Sequence, residues 1–428
     1  MQPTEIDTLL LCRWLIPVIP EDQVWENQAV AIDGGRIVAI GTEAEIQRLY
    51  KSGQTIPLDR HLVIPGLINS HCQTATRLLR GHGENQLSES WLQRYYQPSD
   101  SRFINPEFVV NSASLAMAEM IQTGTTCFAD LYFAQDSLVD AIRASGLRSQ
   151  ISFVVSNTAT AHANSADDYI HSGLKLQDSI GDHPLIKVAC APHGFNELTD
   201  DIAKRVAIYR DELDMAVHLP CHQNSAEITQ STSHHGCRPL QRLNSLGLLA
   251  PHTQLAHMHQ LNAEDIKLLE STNSHVVRCP NSTVNDEYPA DQLIDQGINV
   301  ALGSEGGSLH HLNHLQTLSH VATTDTAEAV DHRCHRALRM ATINGARTLG
   351  WEEQIGSIEA GKYADIIALE IDPILQQPLY NSPVQLLGNA QGHQVSHSWV
   401  AGKPLMRDRQ LLTLDAQNLS NLATNWRP

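Results

Sequence analysis

The chain has 428 residues and a formal net charge of −18, because 47 Asp and Glu outnumber 29 Lys and Arg. No run of basic residues interrupts this acidic balance, which argues against nucleic acid and anionic membrane surfaces as partners. Hydrophobic residues make up 42% of the chain, enough for a sizeable core and too many for a disordered protein. The 23 histidines suggest a metalloenzyme, since imidazole is the commonest metal ligand.

Both ends of the chain show short alternating patterns that predict β-hairpins. Apolar residues of the run 28–41 flank Asp-Gly-Gly at 33–35, and a second turn is predicted for Ala-Gly-Lys at 401–403. Because the ends are β-rich while the middle is not, we expect residues 1–62 and 356–428 to pair into one small β-sandwich.

The middle of the chain, residues 63–355, alternates short apolar runs with longer amphipathic patterns. Near-continuous apolar strands that are each followed by a helix are typical of a buried parallel sheet. The eight predicted strands are 62–71, 125–133, 148–155, 185–193, 214–222, 253–259, 274–280 and 299–306, with helices among others at 106–124, 198–213 and 335–350. Eight such units close into a (β/α)8 TIM barrel, so the predicted fold class is α/β.

The cysteines and the N-terminus bear on the compartment. Eight cysteines are scattered without a Cys-x-x-Cys pair, which argues against both a disulfide framework and a thiolate zinc site. The N-terminus lacks a basic segment, and the apolar stretch 9–20 is too short to span a bilayer. We therefore expect a soluble, reduced, cytoplasmic protein.

Polar side chains gather at the C-terminal ends of the predicted strands, where a barrel of this type places its functional residues. They include His71, His193, His218, His222, His257 and Glu305. A single histidine in such a place is most often a hydrogen-bonded core or rim residue. Four strands that end in histidine at matching depth, with a carboxylate on the eighth, predict a common site.

Several motifs carry a resemblance that spans the chain. They are VIPGLINSH at 63–71, AEMIQTGTTCFADLYF at 118–133, VACAPH at 188–193, LAHMHQL at 255–261 and ALRMATINGARTLG at 337–350. With these motifs the chain resembles the amidohydrolase superfamily, in the branch of triazine hydrolases and methylthioadenosine/S-adenosylhomocysteine deaminases. The resemblance implies the barrel, the terminal β domain and an ancestral hydrolytic deamination of a nucleoside-type amine.

The resemblance also implies a site. In this family one divalent metal, usually zinc, is held by a His-x-His pair after strand one, a His of strand five and an Asp of strand eight. A Glu three residues beyond the strand-five His moves protons, and a strand-six His orients the attacking hydroxide. The metal lowers the pKa of its bound water to about 7. By this resemblance His257 is the strand-six residue and His193 contacts the substrate.

The first and eighth strands depart from that set. The His-x-His pair is His71-Cys72-Gln73, so an amide, a weak ligand for zinc, replaces one imidazole. The strand-eight Asp is Glu305, whose extra methylene moves the carboxylate by about 1.5 Å in a site that tolerates about 0.2 Å. Gln73 is therefore predicted to be a degenerate position, and Glu305 an altered ligand.

Strand five can be aligned with the family in two ways. Counting back from His235 without a gap places Pro220 at the metal position and Gln223 at that of the proton-shuttling Glu, and we prefer this register. Anchoring on His218 instead places Cys221 at the Glu position and requires a two-residue insertion. In either register the shuttle carboxylate is missing, and an amide cannot accept and return a proton.

Two hypotheses for function follow. The first is a pseudoenzyme, with C–N hydrolase activity lost or much reduced, no cofactor, and a ligand-binding or subunit-partner role. The alternative is an active metal-dependent aminohydrolase of a purine nucleoside or related aromatic amine. Its single divalent metal, zinc, would be held by a rewired set of His71, Glu305 and either His218 or His222, with His257, and His257 or Glu305 would shuttle protons.

The expected partner is a small, nucleoside-like molecule. Relatives of this kind are commonly dimers or larger, so a homo-oligomer is compatible with the sequence. His310 and His314 stand four residues apart after strand eight, and such a pair can bind a metal. A solvated helix start is the interpretation we favour for them.

Overall fold

The computed structural model describes residues 3–80, 105–133, 135–159, 163–193, 198–280, 288–306, 312–324, 329–380 and 382–426. Within these ranges sixteen strands form two eight-stranded sheets. One sheet is built from the middle of the chain and the other from its two ends.

The central sheet is a parallel barrel. Its strands, numbered here as barrel strands 1 to 8, are Leu67–Cys72, Thr125–Tyr132, Arg148–Val155, Ile186–Pro192, Ala216–Cys221, Thr253–His257, His275–Arg278 and Val300–Leu302. Neighbours in the sheet follow chain order, and the backbone N–H groups of Ser304 and Glu305 each donate to His71 O at 3.0 Å, which joins strand 8 to strand 1. The predicted (β/α)8 barrel is confirmed.

The predicted first strand, 62–71, is divided between the two sheets. Tyr50–Pro65 belongs to the terminal sheet and Leu67–Cys72 to the barrel, with the break at Gly66. A Cβ added at Gly66 would lie 2.0 Å from Thr126 Oγ1, so only glycine lets the chain pass this close to barrel strand 2. Apolar residues on both sides of the break hide it from a sequence pattern.

Helices cover the outside of the barrel. They are Pro106–Gln122, Val139–Ser145, Ala166–Ile180, Asp200–Leu213, Ser225–His235, Pro239–Ser245, Ala263–Thr272, Ala290–Asp295, His314–Thr324, Val330–Met340 and Ile343–Thr348. The prediction for 335–350 is wrong in one respect: two helices share this segment, because Thr342 has a non-helical backbone (φ −134°, ψ −94°). In the part of the chain that is described, no helix combines the length and apolar character needed to cross a membrane.

The terminal sheet joins the two chain ends. Its strands are Thr4–Leu15, Trp25–Asp33, Arg36–Thr42, Tyr50–Pro65, Ile366–Glu370, Val395–Val400, Lys403–Arg407 and Gln410–Leu411, with short helices at Glu43–Leu49 and Ala416–Asn425. Both predicted hairpins are present, and Tyr50–Pro65 pairs with Thr4–Leu15 on one side and Ile366–Glu370 on the other. This single sheet fits the predicted extra β domain; the domain boundaries at 62/63 and 355/356 stay predictions.

A buried ion pair connects the barrel to the terminal sheet. Arg148, at the start of barrel strand 3, donates from Nε to Asp365 Oδ2 at 3.0 Å, and both side chains are essentially inaccessible to solvent. Asp365 also accepts from Ala401 N at 2.7 Å, and the guanidinium lies against the rings of Trp351 and Tyr363. One carboxylate therefore holds both a barrel strand and the turn of a terminal hairpin.

Gly173 sets how closely helix Ala166–Ile180 packs on the barrel. A Cβ added there would lie 2.2 Å from a ring carbon of buried Phe153. We expect Gly173→Ala to lower the free energy of unfolding by about 1–3 kcal/mol because of this overlap. At a position without a clash the same change stabilises a helix by roughly 0.8–1 kcal/mol, so a measured gain in urea denaturation would contradict the packing described. Lys175→Ala, at an exposed position of the same helix, is the control, with an expected change within about 0.5 kcal/mol.

Candidate functional site

A chain of hydrogen-bonded side chains occupies the inside of the barrel. His71 Nδ1 lies 2.8 Å from His218 Nε2, and His218 Nδ1 lies 2.9 Å from Ser152 Oγ. All three residues are fully buried. Burial, and secondarily His257, lowers the pKa of His218 to about 3, while burial and the neighbouring His218 lower the pKa of His71 well below its ordinary value. Both imidazoles are therefore neutral at pH 7. Each ring nitrogen of His218 takes part in one of these two hydrogen bonds.

Ser152 was not predicted from the sequence as a site residue. It lies on barrel strand 3, two residues after Gln150, whose side-chain amide exchanges hydrogen bonds with that of Gln254 at 2.8 and 2.9 Å. Side chains two residues apart on a strand share a face. The alternation of Gln150 and Ser152 with Ile151 and Phe153 was the signal that could have placed both inside the barrel.

His257 and Glu305 form a second pair next to this chain. His257 Nε2 lies 3.5 Å from Glu305 Oε1, and the ring centroids of His257 and His71 are 5.6 Å apart. Burial raises the pKa of Glu305 to about 8, so its carboxyl group is mostly protonated at pH 7. The structure thus brings together four of the predicted residues: His71, His218, His257 and Glu305.

The backbone around these residues adopts left-handed conformations that side chains other than glycine rarely favour. The φ angles are 54° at His222, 76° at His257, 55° at Met258 and 60° at Glu305. Such residues cost of order 1–3 kcal/mol each, persist only where tertiary contacts hold them, and cluster at binding and catalytic sites. All four lie where barrel strands 5, 6 and 8 end.

His222 is directed away from this group. Its Nδ1 donates to Gln260 O at 3.0 Å, and its Nε2 accepts from Leu240 N at 3.2 Å. The backbone N–H groups of His222 and Gln223 both donate to the carboxylate of Glu227, at 3.1 and 2.7 Å. Of the two strand-five histidines offered by the rewired set, the structure brings His218 to His71, while His222 anchors the loop after the strand. Glu227 was missed, since its role depends on that loop conformation.

Gln73, and in the preferred strand-five register Pro220, stand at positions that the resemblance assigns to metal ligands. Gln73 is buried, and the turn that follows it is held by Asp130, which accepts from Thr74 N at 2.7 Å and Thr74 Oγ1 at 2.8 Å. Pro220 pairs with Ala256 in the barrel register, two residues beyond His218 on the same face of the strand. Its side chain carries no polar atom.

His193 lies at the end of barrel strand 4. Its backbone N–H donates to Val155 O at 2.9 Å, its ring meets Phe133 edge-on with centroids 5.7 Å apart, and burial lowers its pKa to about 4. His310 lies outside the described residues. His314 is fully buried, so its interpretation as part of a solvated helix start is wrong, because the helix packs that end against the barrel.

The arrangement of these donors does not match a zinc centre. Among the described residues, no group of three or more His, Cys, Asp or Glu side chains is placed to hold a metal ion. When two imidazoles bind one tetrahedral zinc with Zn–N distances of about 2.0–2.1 Å, their ligating nitrogens lie about 3.3 Å apart. His71 Nδ1 and His218 Nε2 instead share a hydrogen bond at 2.8 Å. Two buried atoms, His71 Nε2 and Gln73 Oε1, have no hydrogen-bond partner in the described part of the chain.

Known proteins share this architecture and much of this sequence. The model of the amidohydrolase family matches residues 62–405. The chain is 40% identical to a 5-methylthioadenosine/S-adenosylhomocysteine deaminase of Teredinibacter turnerae, over 99% of this chain and 98% of the relative. It is 34% identical to an adenosine deaminase of Xanthomonas campestris with bound zinc, with a TM-score of 0.94 over 99% of this chain and 98% of that one. It shares the fold of a zinc-complexed atrazine chlorohydrolase from Arthrobacter aurescens, with 20% identity and a TM-score of 0.87 over 97% and 99% of the two chains.

Proposed function

This chain belongs to the amidohydrolase family, and we propose that it binds a nucleoside-like small molecule at the barrel mouth with hydrolytic deamination lost or greatly reduced. The observation that carries the proposal is the hydrogen-bonded chain Ser152–His218–His71. These hydrogen bonds use both ring nitrogens of His218, which could otherwise replace the metal ligand that is missing in the register with Pro220 at the metal position.

The residues of the proton-transfer step support the same conclusion. Gln223 stands where the resemblance assigns the shuttling carboxylate, and an amide cannot cycle a proton. Glu305 is a carboxyl group whose pKa burial raises to about 8, so it is mostly a hydrogen-bond donor at pH 7. This set can orient a ligand without activating water.

The site suits a neutral, polar ring system. His71, His218 and His193 are neutral at pH 7 because burial lowers each pKa. A buried polar atom without a partner costs about 1–3 kcal/mol, and His71 Nε2 and Gln73 Oε1 are two such atoms. A ligand that supplies hydrogen-bond partners to both would remove that cost, and the N–H and ring-nitrogen groups of a nucleobase do so.

Elemental analysis and an activity assay test the proposal together. We expect protein purified without chelator to hold well under one zinc, iron or manganese ion per chain. We expect methylthioadenosine to bind saturably in calorimetry, with deamination far below the roughly 1–1000 s⁻¹ typical of enzymes. Deamination in that range, abolished by Glu305→Gln, would falsify the proposal.

A metal-dependent aminohydrolase with a rewired site is the second candidate. It is favoured by the unpartnered His71 Nε2 and by the 3.5 Å separation of His257 Nε2 and Glu305 Oε1, since these atoms are of the types that zinc binds. The rewired site requires the His218 ring to lose its hydrogen bond to Ser152 or to His71, so that a ring nitrogen can bind the metal. It predicts near-stoichiometric metal and loss of that metal in Glu305→Ala, with His222→Ala, at a residue directed away from the group, retaining it.

A further inference from the structure

A cavity lies outside the barrel wall. It has a volume of about 140 Å³ and is bounded by the ends of barrel strands 2 and 3 and by helix Ala166–Ile180. Four aromatic rings contribute to its wall, those of Tyr132, Phe133, Phe153 and Tyr169, and all four residues are buried. An engineered apolar cavity of about 150 Å³ binds benzene, so this volume matches a single six-membered ring.

The carboxylate among the described residues that line this cavity lies at its rim. Asp136 and Ser172 line it and are exposed to solvent, while no Lys, Arg or His is among the described residues that line it. Aromatic faces carry negative electrostatic potential and attract cations. A carboxylate at the mouth and a net charge of −18 act in the same direction.

We propose that this cavity is a binding site for a small aromatic cation, with one ring among the four aromatic side chains and an ammonium group beside Asp136. A bound ring could pack against these aromatic side chains as they pack against one another. Phe133 meets Tyr132 edge-on with centroids 5.9 Å apart and is tilted to Tyr169 at 6.4 Å, separations at which aromatic pairs interact favourably. The site is independent of the function proposed for the barrel mouth.

One side chain connects the cavity to the barrel mouth. Phe133 lines the cavity and also meets the His193 ring edge-on at 5.7 Å. A ring bound in the cavity would therefore contact the same aromatic side chain that bounds His193. Binding of a ligand in the cavity should therefore change the surroundings of the His193 ring, even though His193 does not line the cavity.

Benzylamine is the probe that tests the proposal. We expect saturable binding at roughly millimolar Kd, the range that a fragment of this size reaches. Benzoate, which has the same ring and the opposite charge, should bind at least about ten times more weakly, and methylammonium, which has no ring, should not saturate. The NMR resonance of the His193 ring, assigned with His193→Ala, should shift on benzylamine binding.

Three variants locate the site. Ala163→Leu places additional carbons in the cavity, whose wall includes Ala163, and should weaken benzylamine at least about tenfold by overpacking. Asp136→Asn should weaken it about three- to fivefold, as expected for an exposed charge pair. Asp140→Asn, at an exposed position outside the cavity, is the matched control and should leave the affinity unchanged.

The outcomes separate cleanly. Equal binding of benzylamine and benzoate, unchanged affinity in Asp136→Asn, or a His193 resonance that stays fixed at saturation would each overturn the proposal. If Ala163→Leu does not fold, the charge series and Asp136→Asn still decide. Deamination at ordinary enzymatic rates would end the proposal for the barrel mouth and leave this one untouched.

Discussion

The combined replacement of Gln73→His, Pro220→His, Gln223→Glu and Glu305→Asp should raise bound zinc to about one ion per chain and deamination of methylthioadenosine by at least about 10³-fold. The two new imidazoles, with His71 and the shorter carboxylate, would supply the N₃O donors that zinc accepts in tetrahedral geometry. The new Glu would restore a group that accepts and returns protons, an effect worth about 10²–10⁴-fold. Inductively coupled plasma analysis and a coupled ammonia assay measure the two results.

The matched control keeps Gln223 and carries the other three substitutions. It should bind zinc as well as the full variant and remain at least about 100-fold less active, because only proton transfer is missing. Circular dichroism and a thermal scan would establish that both variants fold. A full variant that folds and still fails to hold zinc would show that the barrel has diverged beyond these four positions.

The replacement Asp365→Ala should lower the free energy of unfolding by about 3–5 kcal/mol. It removes the partner of a fully buried guanidinium, and an uncompensated buried charge is strongly destabilising. It also removes the acceptor of Ala401 N, which loosens the terminal hairpin. Urea denaturation, followed by both fluorescence and circular dichroism, measures the change.

Two comparisons define this effect. Asp167→Ala breaks the exposed pair with Arg205 and should change stability by less than about 1 kcal/mol. Arg148→Met combined with Asp365→Leu should recover much of the loss, since apolar replacements of a buried ion pair are often neutral or stabilising. If Asp365→Ala and Asp167→Ala behave alike, the pair does not connect the two sheets as described.

Much of the fold could be predicted because its signals are local in the chain. Each barrel strand is a short apolar run between amphipathic segments, and the Gly34-Gly35 and Gly402 turns accept the left-handed backbone that hairpins require. The errors fall where one element follows another after only one or two residues, at Gly66 between the two sheets and at Thr342 between two helices. In both places the neighbour across the packing interface, and not the local pattern, decides where an element ends.

The histidine count was a weaker guide than the histidine positions. His222 and His314 are buried, and the His222 ring links the backbone carbonyl of Gln260 to the backbone N–H of Leu240 in helix Pro239–Ser245. Such a residue cannot be separated from a metal ligand by sequence, because both are imidazoles that follow a strand. The distinction lies in what each ring nitrogen contacts.

The sequence by itself determined the barrel and the family, and it predicted that Gln73, Pro220, Gln223 and Glu305 depart from the family's site. Only the tertiary structure decided that His218 reaches His71, that Ser152 holds it there and that His222 does not take part. His71 and His218 are 147 residues apart, and Ser152 and His218 are 66 apart. Hydrophobic periodicity extends over one strand or helix, whereas the hydrogen bonds of this site depend on tenths of an ångström between strands that meet only when the barrel closes.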